Sequence, residues 1–306
     1  VNVYIMEKHV ILVFSILVFL LGIIYGTKSA PKDGTTLVTI ELVKFIACVA
    51  LFVYKGSSWT DIVRYRNTGI YYALPAFIFT ALEQLLLHAP ARTFAPFRML
   101  CTGVLYQYFF SDSLSTYKWA SIALMTAGGL FFQWSSIPMA WVVLIVVCVE
   151  MFCGALGTVF TEYLMKQDRN QPIYLQAMYL YFFSSIFTYV LGFFRGEQLE
   201  VSLIFSGNAV YIAIINAIAG LTLIFLIKTA GSVERDFAFN FGLLVAVIIG
   251  LFAGTAASFS FSAIVFTVIA AISIYLWNKV DEPVNVESTL DYGAADTRSR
   301  NTNVEV

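Results

Sequence analysis

Hydrophobic positions along this chain come in long unbroken runs. A helix needs about 20 apolar residues to cross a hydrocarbon core, and such runs occupy 9–26, 37–54, 69–88, 93–110, 117–134, 140–163, 172–194, 208–227, 237–254 and 260–278. Polar and charged residues collect in the short intervals between them. A transmembrane barrel would instead show ten-residue stretches of strict alternation. The pattern predicts an all-α integral membrane protein: a ten-helix domain over residues 1–278, then a polar tail over 279–306. The tail carries no apolar period and reads as disordered and cytosolic.

Composition agrees. The chain is 59% hydrophobic and 12% charged, where soluble domains carry roughly 25% charged residues. Too few charges remain to coat a water-facing surface, so lipid is the expected solvent. A net charge of −1 gives no electrostatic case for nucleic acid. Cys48, Cys101, Cys148 and Cys153 all fall inside apolar runs and read as small packing residues. With no CxxC pair and only His9 and His88, neither a metal nor another cofactor is expected. The chain lacks GxSxG, HExxH and Walker A motifs, which argues against an enzyme and against ATP-driven transport. Met6 opens the first apolar run and is a candidate for the biological start; the run itself reads as a signal anchor.

Charge bias sets the orientation. An even number of spans puts both termini on one side, and Lys8, Lys55, Arg64, Arg66, Lys118, Lys166, Arg169, Lys228, Arg235, Lys279, Arg298 and Arg300 lie there. Lys28, Lys32, Arg92 and Arg195 lie opposite, so the positive-inside rule places both termini in the cytosol. RTFAPF at 92–97 and RDFAFN at 235–240 form a faint internal echo, opening the fourth and ninth spans. An offset of five spans inverts topology, as an inverted repeat of five plus five helices would.

Ionisable groups inside a span cost about 2.5–3.5 kcal/mol each on insertion scales and face a protein interior or an aqueous cavity. The candidates are Glu41, Lys44, Glu83, Arg98 and Glu150. Glu41 and Lys44 share a helical face, either as a mutual ion pair or as the lining of a solute path. Arg98, flanked by Phe94 and Phe97, suits bidentate capture of a phosphate, or an ion pair with Glu83 or Glu150. Lys228 ends the eighth span, where a cytosolic charge is expected anyway. Arg235 opens the ninth against the helix dipole, with Asp236 partly compensating. A cation placed so suggests a meeting with an anion. Glu83 or Glu150 would serve a proton-coupled carrier, or pair with a basic group. Gly22-x-x-x-Gly26 and Gly250-x-x-x-Gly254 allow close helix packing and, in one reading, a homodimer face.

Several segments resemble the nucleotide-sugar transporter family of the drug/metabolite transporter superfamily. TLVTIELVKFIACVALFVYKG (36–56) is similar to its second helix, with Glu41 and Lys44. GALGTVFTEYLMKQ (154–167) is similar to the end of its sixth, with Glu162 and Lys166. AGLTLIFLIKTAGSVERDFAFNFGLL (219–244) is similar to its eighth-to-ninth junction, matching at Gly220, Leu221, Lys228, Arg235 and Phe237, and KWASIALMTAGGLFFQW (118–134) to its fifth helix. VFTEYLMK together with Ser232 is most similar to the branch called probable UDP-sugar transporter, in subfamily A of solute carrier family 35.

The resemblance implies a ten-helix, 5+5 inverted-repeat fold in a multi-pass Golgi or ER membrane, with lipid as surroundings. It also implies antiport of a UDP-sugar, or a related pyrimidine nucleotide sugar, against a nucleoside monophosphate. The family's helix-four phosphate contact falls on Arg98, a second basic contact on Arg235, and an eighth-helix aromatic on Thr222. Departures fall at Leu82, Glu83 and Gln84, around Phe94 to Pro96, and at Gly231 and Ser232. The expected substrate-binding set is therefore Arg98, Arg235, Lys228, Thr222 and Glu83. Glu41, Lys44, Glu150, Glu162 and Lys166 are the expected structural or gating charges. A non-transporting scaffold or adaptor of the same fold and a proton-coupled carrier of another metabolite are the competing readings.

Overall fold

The computed structural model describes Ile16, Val18 and residues 34–86, 95–110, 114–132, 141–168, 171–196, 207–252 and 261–279. Among these residues there is no strand. The long helices are α1 (Gly34–Tyr54), α2 (Ala73–Leu86), α3 (Ala95–Phe110), α4 (Thr116–Phe132), α5 (Trp141–Gln167), α6 (Ile173–Phe194), α7 (Gly207–Thr229), α8 (Ser232–Phe252) and α9 (Phe261–Trp277). They coincide in order with the second to tenth predicted spans. The first predicted span (Ile16 and Val18 apart) and the tail beyond Lys279 lie outside the described residues, as do both GxxxG pairs in whole or part. Among the described residues, four segments, Gly34–Tyr54, Ile145–Gln167, Ile173–Phe194 and Val210–Thr229, are long and apolar enough to cross a bilayer by length and composition.

Apolar runs become helices because a backbone in hydrocarbon must satisfy its own amides and carbonyls. Local breaks then set where each helix stops. Pro172 precedes α6 and its carbonyl accepts from the amides of Leu175 and Gln176. Gly231 separates α7 from α8 with φ +144°, a conformation that L side chains rarely adopt. Charged and polar side chains are buried among the apolar ones, while many large apolar side chains face outward. Glu41, Lys44, Glu150, Glu162, Arg235, Asp236 and Asn240 are buried, while Phe193, Phe252, Phe261 and Tyr275 are exposed. That distribution suits lipid around the helices.

Helix α1 packs on α6 and α7, and α2 on α5 and α6. Helix α3 packs on α4, α5 and α8, and α4 packs on α9. The buried apolar side chains form two main groups. One joins Cys48, Phe52, Tyr72, Met165, Tyr181 and Ile227 across α1, α2, α5, α6 and α7. The other joins Met99, Met125, Phe237, Leu244 and Phe266 across α3, α4, α8 and α9. Short polar bridges fix helix pairs: Ser121 Oγ donates to the Ser273 carbonyl at 2.6 Å, and the Thr80 and Ser184 hydroxyls lie 3.1 Å apart. Each such bond between membrane helices contributes on the order of 0.6 kcal/mol.

Small residues let the backbones close. A methyl group built on Gly129 of α4 would lie 2.4 Å from Pro96 Cγ, in a ring that cannot rotate away. On Gly220 of α7 it would lie 2.8 Å from Lys44 Cε, at the flexible end of a side chain. Gly129→Ala is therefore expected to destabilise the protein by about 1–3 kcal/mol and Gly220→Ala by less. Thermal unfolding of the two purified variants in one detergent measures the order.

Candidate functional site

Among the described residues, three sets of charged side chains lie inside the bundle. The first joins α3 to α8. Arg98 stands one turn into α3, and its stem runs beside Gly154 of α5, where an added Cβ would come within 3.3 Å of Arg98 Cδ. Its guanidinium sits 5.0 Å from the Phe239 ring centroid. Its Nη2 lies 3.1 Å from Oδ1 of Asp236, and Nη1 of Arg235 lies 2.7 Å from the same oxygen. Thr102, one turn along α3 from Arg98, donates its hydroxyl to Oδ2 of Asp236 at 2.5 Å. Asp236 is 1% exposed and Arg235 9%. Two arginines from the fourth and ninth predicted spans thus converge on one buried carboxylate.

The second set joins α1, α2, α6 and α7. Lys44 Nζ lies 2.5 Å from Glu41 Oε1, one helical turn away, and 5.3 Å from the centroid of the Tyr181 ring. Glu83 of α2 interacts electrostatically with both Glu41 and Lys44. The close approach at Gly220 lets the lysine stem pass α7.

The third set closes the α7–α8 turn. Glu162, on the last two turns of α5, takes the Ser232 amide on Oε2 at 2.7 Å and Lys166 Nζ on Oε1 at 2.5 Å. A carboxylate on the first amide of α8 complements the positive end of the helix dipole. Lys166 also lies 5.5 Å from the Phe110 ring centroid, tying in the end of α3. A side chain at Gly231 would meet both Glu234 Oε2 at 2.7 Å and Glu162 Oε1 at 3.1 Å. Glycine here therefore serves both the turn and the two carboxylates beside it.

The remaining expected residues stand apart from the arginine pair. Lys228 Nζ donates to the Gln171 carbonyl at 2.6 Å and to Gln176 Oε1 at 2.7 Å. Gln176 in turn donates to the Met165 and Asp168 carbonyls, so Lys228 ties the α5–α6 connection to the end of α7. Thr222 donates to the carbonyl of Ile218 in its own helix. It lines an apolar groove of about 290 Å³ with Ile16, Leu51, Tyr174 and Ile224. Glu150 is buried on the face of α5 that carries Gly154. Among the described residues no three His, Cys, Asp or Glu side chains gather as a metal site.

Sequence reasoning gave Asp236 only the task of offsetting the dipole beside Arg235. The carboxylate is instead the meeting point of both arginines. Nothing local to the RD pair marks its bond to Arg98, which depends on how α3 docks on α8. The Arg98–Thr102 spacing of four did carry a signal, since those side chains share a helical face.

No family model matches the chain. It is similar to curated transporters over most of its length. The UDP-N-acetylglucosamine transporter of Homo sapiens is 25% identical across 72% of this chain and 77% of the relative. The Probable UDP-sugar transporter protein SLC35A4 of Xenopus tropicalis is 22% identical across 70% and 72%, and the UDP-galactose transporter senju of Drosophila melanogaster 22% across 80% and 77%. One solved crystal structure shares the fold with a TM-score of 0.66 at 13% identity, covering 89% of this chain and 96% of that one. The resemblance to nucleotide-sugar transporters therefore holds across most of the chain, and these relatives are named as transporters, not as enzymes.

The Glu162 cap and the Gly231 turn share atoms, so their loss should not add. Glu162→Ala and Gly231→Ala are each expected to destabilise by about 1–3 kcal/mol. The double variant should fall short of the sum. Thermal unfolding of the two singles and the double in one detergent measures the coupling.

Proposed function

We propose that this protein carries a nucleotide sugar, most simply a UDP-sugar, across the Golgi membrane in exchange for a nucleoside monophosphate. The observation that carries the reading is the convergence of Arg98 and Arg235 inside the bundle. Planar guanidinium groups on two different helices suit the oxygens of a phosphate, and in a low-dielectric interior such bonds are strong. The names of the relatives supply the cargo class, and the buried arginine pair supplies the chemistry that would hold it.

The packing supports a fold of ten helices as a 5+5 inverted repeat. Helices five spans apart pack on each other: α1 on α6, α3 on α8 and α4 on α9. Helix α2 on α6 is matched, five spans on, by α7 on α1. Val18 of the first predicted span packs beside Leu226 of α7 and Ala238 of α8. That contact is the counterpart of the sixth span, α5, lying on α2 and α3. Two halves of equal architecture and opposite orientation allow alternating access by rocking around a fixed central site. Glu41, Lys44 and Glu83 then form a second charged set in the same interior. Glu162 and Lys166 hold the end of the bundle that the charge bias turns to the cytosol, with both termini on that side.

Exchange needs a site whose affinity differs between its open and occluded states. Arg98→Ala and Arg235→Ala are each expected to lower counterflow uptake by about tenfold or more, the scale of a lost charge-assisted contact. The measurement is uptake of labelled UDP-sugars into proteoliposomes preloaded with UMP or CMP, after equal reconstitution. Uptake by Arg98→Ala equal to wild type would sink the assignment.

The same geometry gives a second reading some footing. A carboxylate already pairs with both arginines, as a purely structural network in a non-transporting scaffold would require. Thermal stabilisation by nucleotides separates the two, because a ligand that binds only the folded state raises its melting temperature.

A further inference from the structure

We propose that Asp236 is a built-in competitor for the anion site, an internal carboxylate that an arriving phosphate must displace from Arg98 and Arg235. The inference rests on the phosphate reading of the two arginines. It adds the residue that sets their affinity and the charge they accept.

One oxygen of Asp236 serves both guanidinium groups and the other serves Thr102. The fit is incomplete. Arg98 Nε and Nη2 are buried without a well-aligned hydrogen bond, the ion pair notwithstanding, and Asn240 Oδ1, one turn along α8 from Asp236, is buried without a donor. Polar atoms buried in this state carry a cost that a better-placed ligand would remove. A phosphate brings more oxygens than a carboxylate and can meet guanidinium donors from two helices at once.

Release of Asp236 is prepared for. Thr102 Oγ1 has a second acceptor, the Arg98 carbonyl at 3.0 Å in its own helix. When Asp236 leaves, the hydroxyl turns to that carbonyl and no donor is stranded. The contact with Arg98 crosses from α8 to α3, so a small rotation of the first turns of α8 separates the carboxylate from Arg98, and the Asp236 side chain must turn away from its neighbour Arg235.

Charge decides what Asp236 does to the cargo. Two arginines and one aspartate sum to +1, so a doubly charged phosphate group is left one charge short of neutral while the carboxylate stays in place. Asp236 therefore lowers the affinity for dianions. A site that is available for only a fraction of the time binds its ligand more weakly by that fraction.

The test is UMP and inorganic pyrophosphate binding to the purified full chain in lipid nanodiscs, by calorimetry. Asp236→Asn is expected to lower the Kd for UMP by about tenfold or more, and Thr102→Val, which loosens the carboxylate, by about two- to threefold. Arg98→Ala added to Asp236→Asn should abolish the gain. If wild type binds UMP and neither variant binds more tightly, Asp236 is an ordinary structural partner; this inference falls and the phosphate reading stands. If wild type and Asp236→Asn bind neither probe, both fall. Should Asp236→Asn fail to fold, Thr102→Val decides alone, and an unchanged Kd overturns the proposal.

Discussion

The buried carboxylate of Asp236 holds two arginines of like charge side by side, and much of the surrounding architecture depends on it. Two guanidinium groups cannot share a dry interior unless an anion lies between them. Taking away one partner of such a network leaves an uncompensated charge, at a cost of about 3–5 kcal/mol. Contacts that α3 makes with α4, α5 and α8 set the position of Arg98. Pro96 fits against Gly129, the Arg98 stem fits beside Gly154, and Phe239 covers the guanidinium. Upstream, the turn at Gly231 and the Glu162 carboxylate on the Ser232 amide fix where α8 begins. The position of Arg235 and Asp236 follows from that start.

The interior charges are divided rather than pooled. Glu41, Lys44 and Glu83 lie with the apolar group built on α1, α6 and α7, and the arginine pair lies with the group built on α3, α4, α8 and α9. Helix α5 touches both sides, meeting Arg98 at Gly154 and the α2 residues Ile78 and Phe79 at Gly157.

The helices were legible because lipid imposes a simple rule. A backbone in hydrocarbon is helical wherever it is continuous, so apolar runs and helices coincide within a few residues from α1 to α9. The E-x-x-K spacing at Glu41 and Lys44 was legible for the same reason, being local to one helix. What spacing does not contain is docking between helices distant in sequence. Lys228 reads as one more cytosolic charge, yet its partners are Gln171 and Gln176, more than fifty positions earlier. Thr222 aligns with a substrate contact by resemblance, yet its side chain faces an apolar groove beside Leu51 and Tyr174. Asp236 was visible, but its bond to Arg98 spans 138 positions and depends on the rotation of two helices.

The carrier and scaffold readings differ in one physical quantity, the free energy needed to take Asp236 off the arginines. In a scaffold the carboxylate is the final partner, and the network should be as complete as its surroundings allow. A carrier has the opposite need, since a site perfectly satisfied by its own protein gives a substrate nothing to gain. The network here is incomplete on the side of Arg98, whose Nε and Nη2 lack aligned acceptors. Thr102 also keeps a second acceptor within reach. Both features lower the cost of release, and a structural role requires neither. The balance of the geometry therefore favours an arginine pair kept neutral enough to fold and unsatisfied enough to bind.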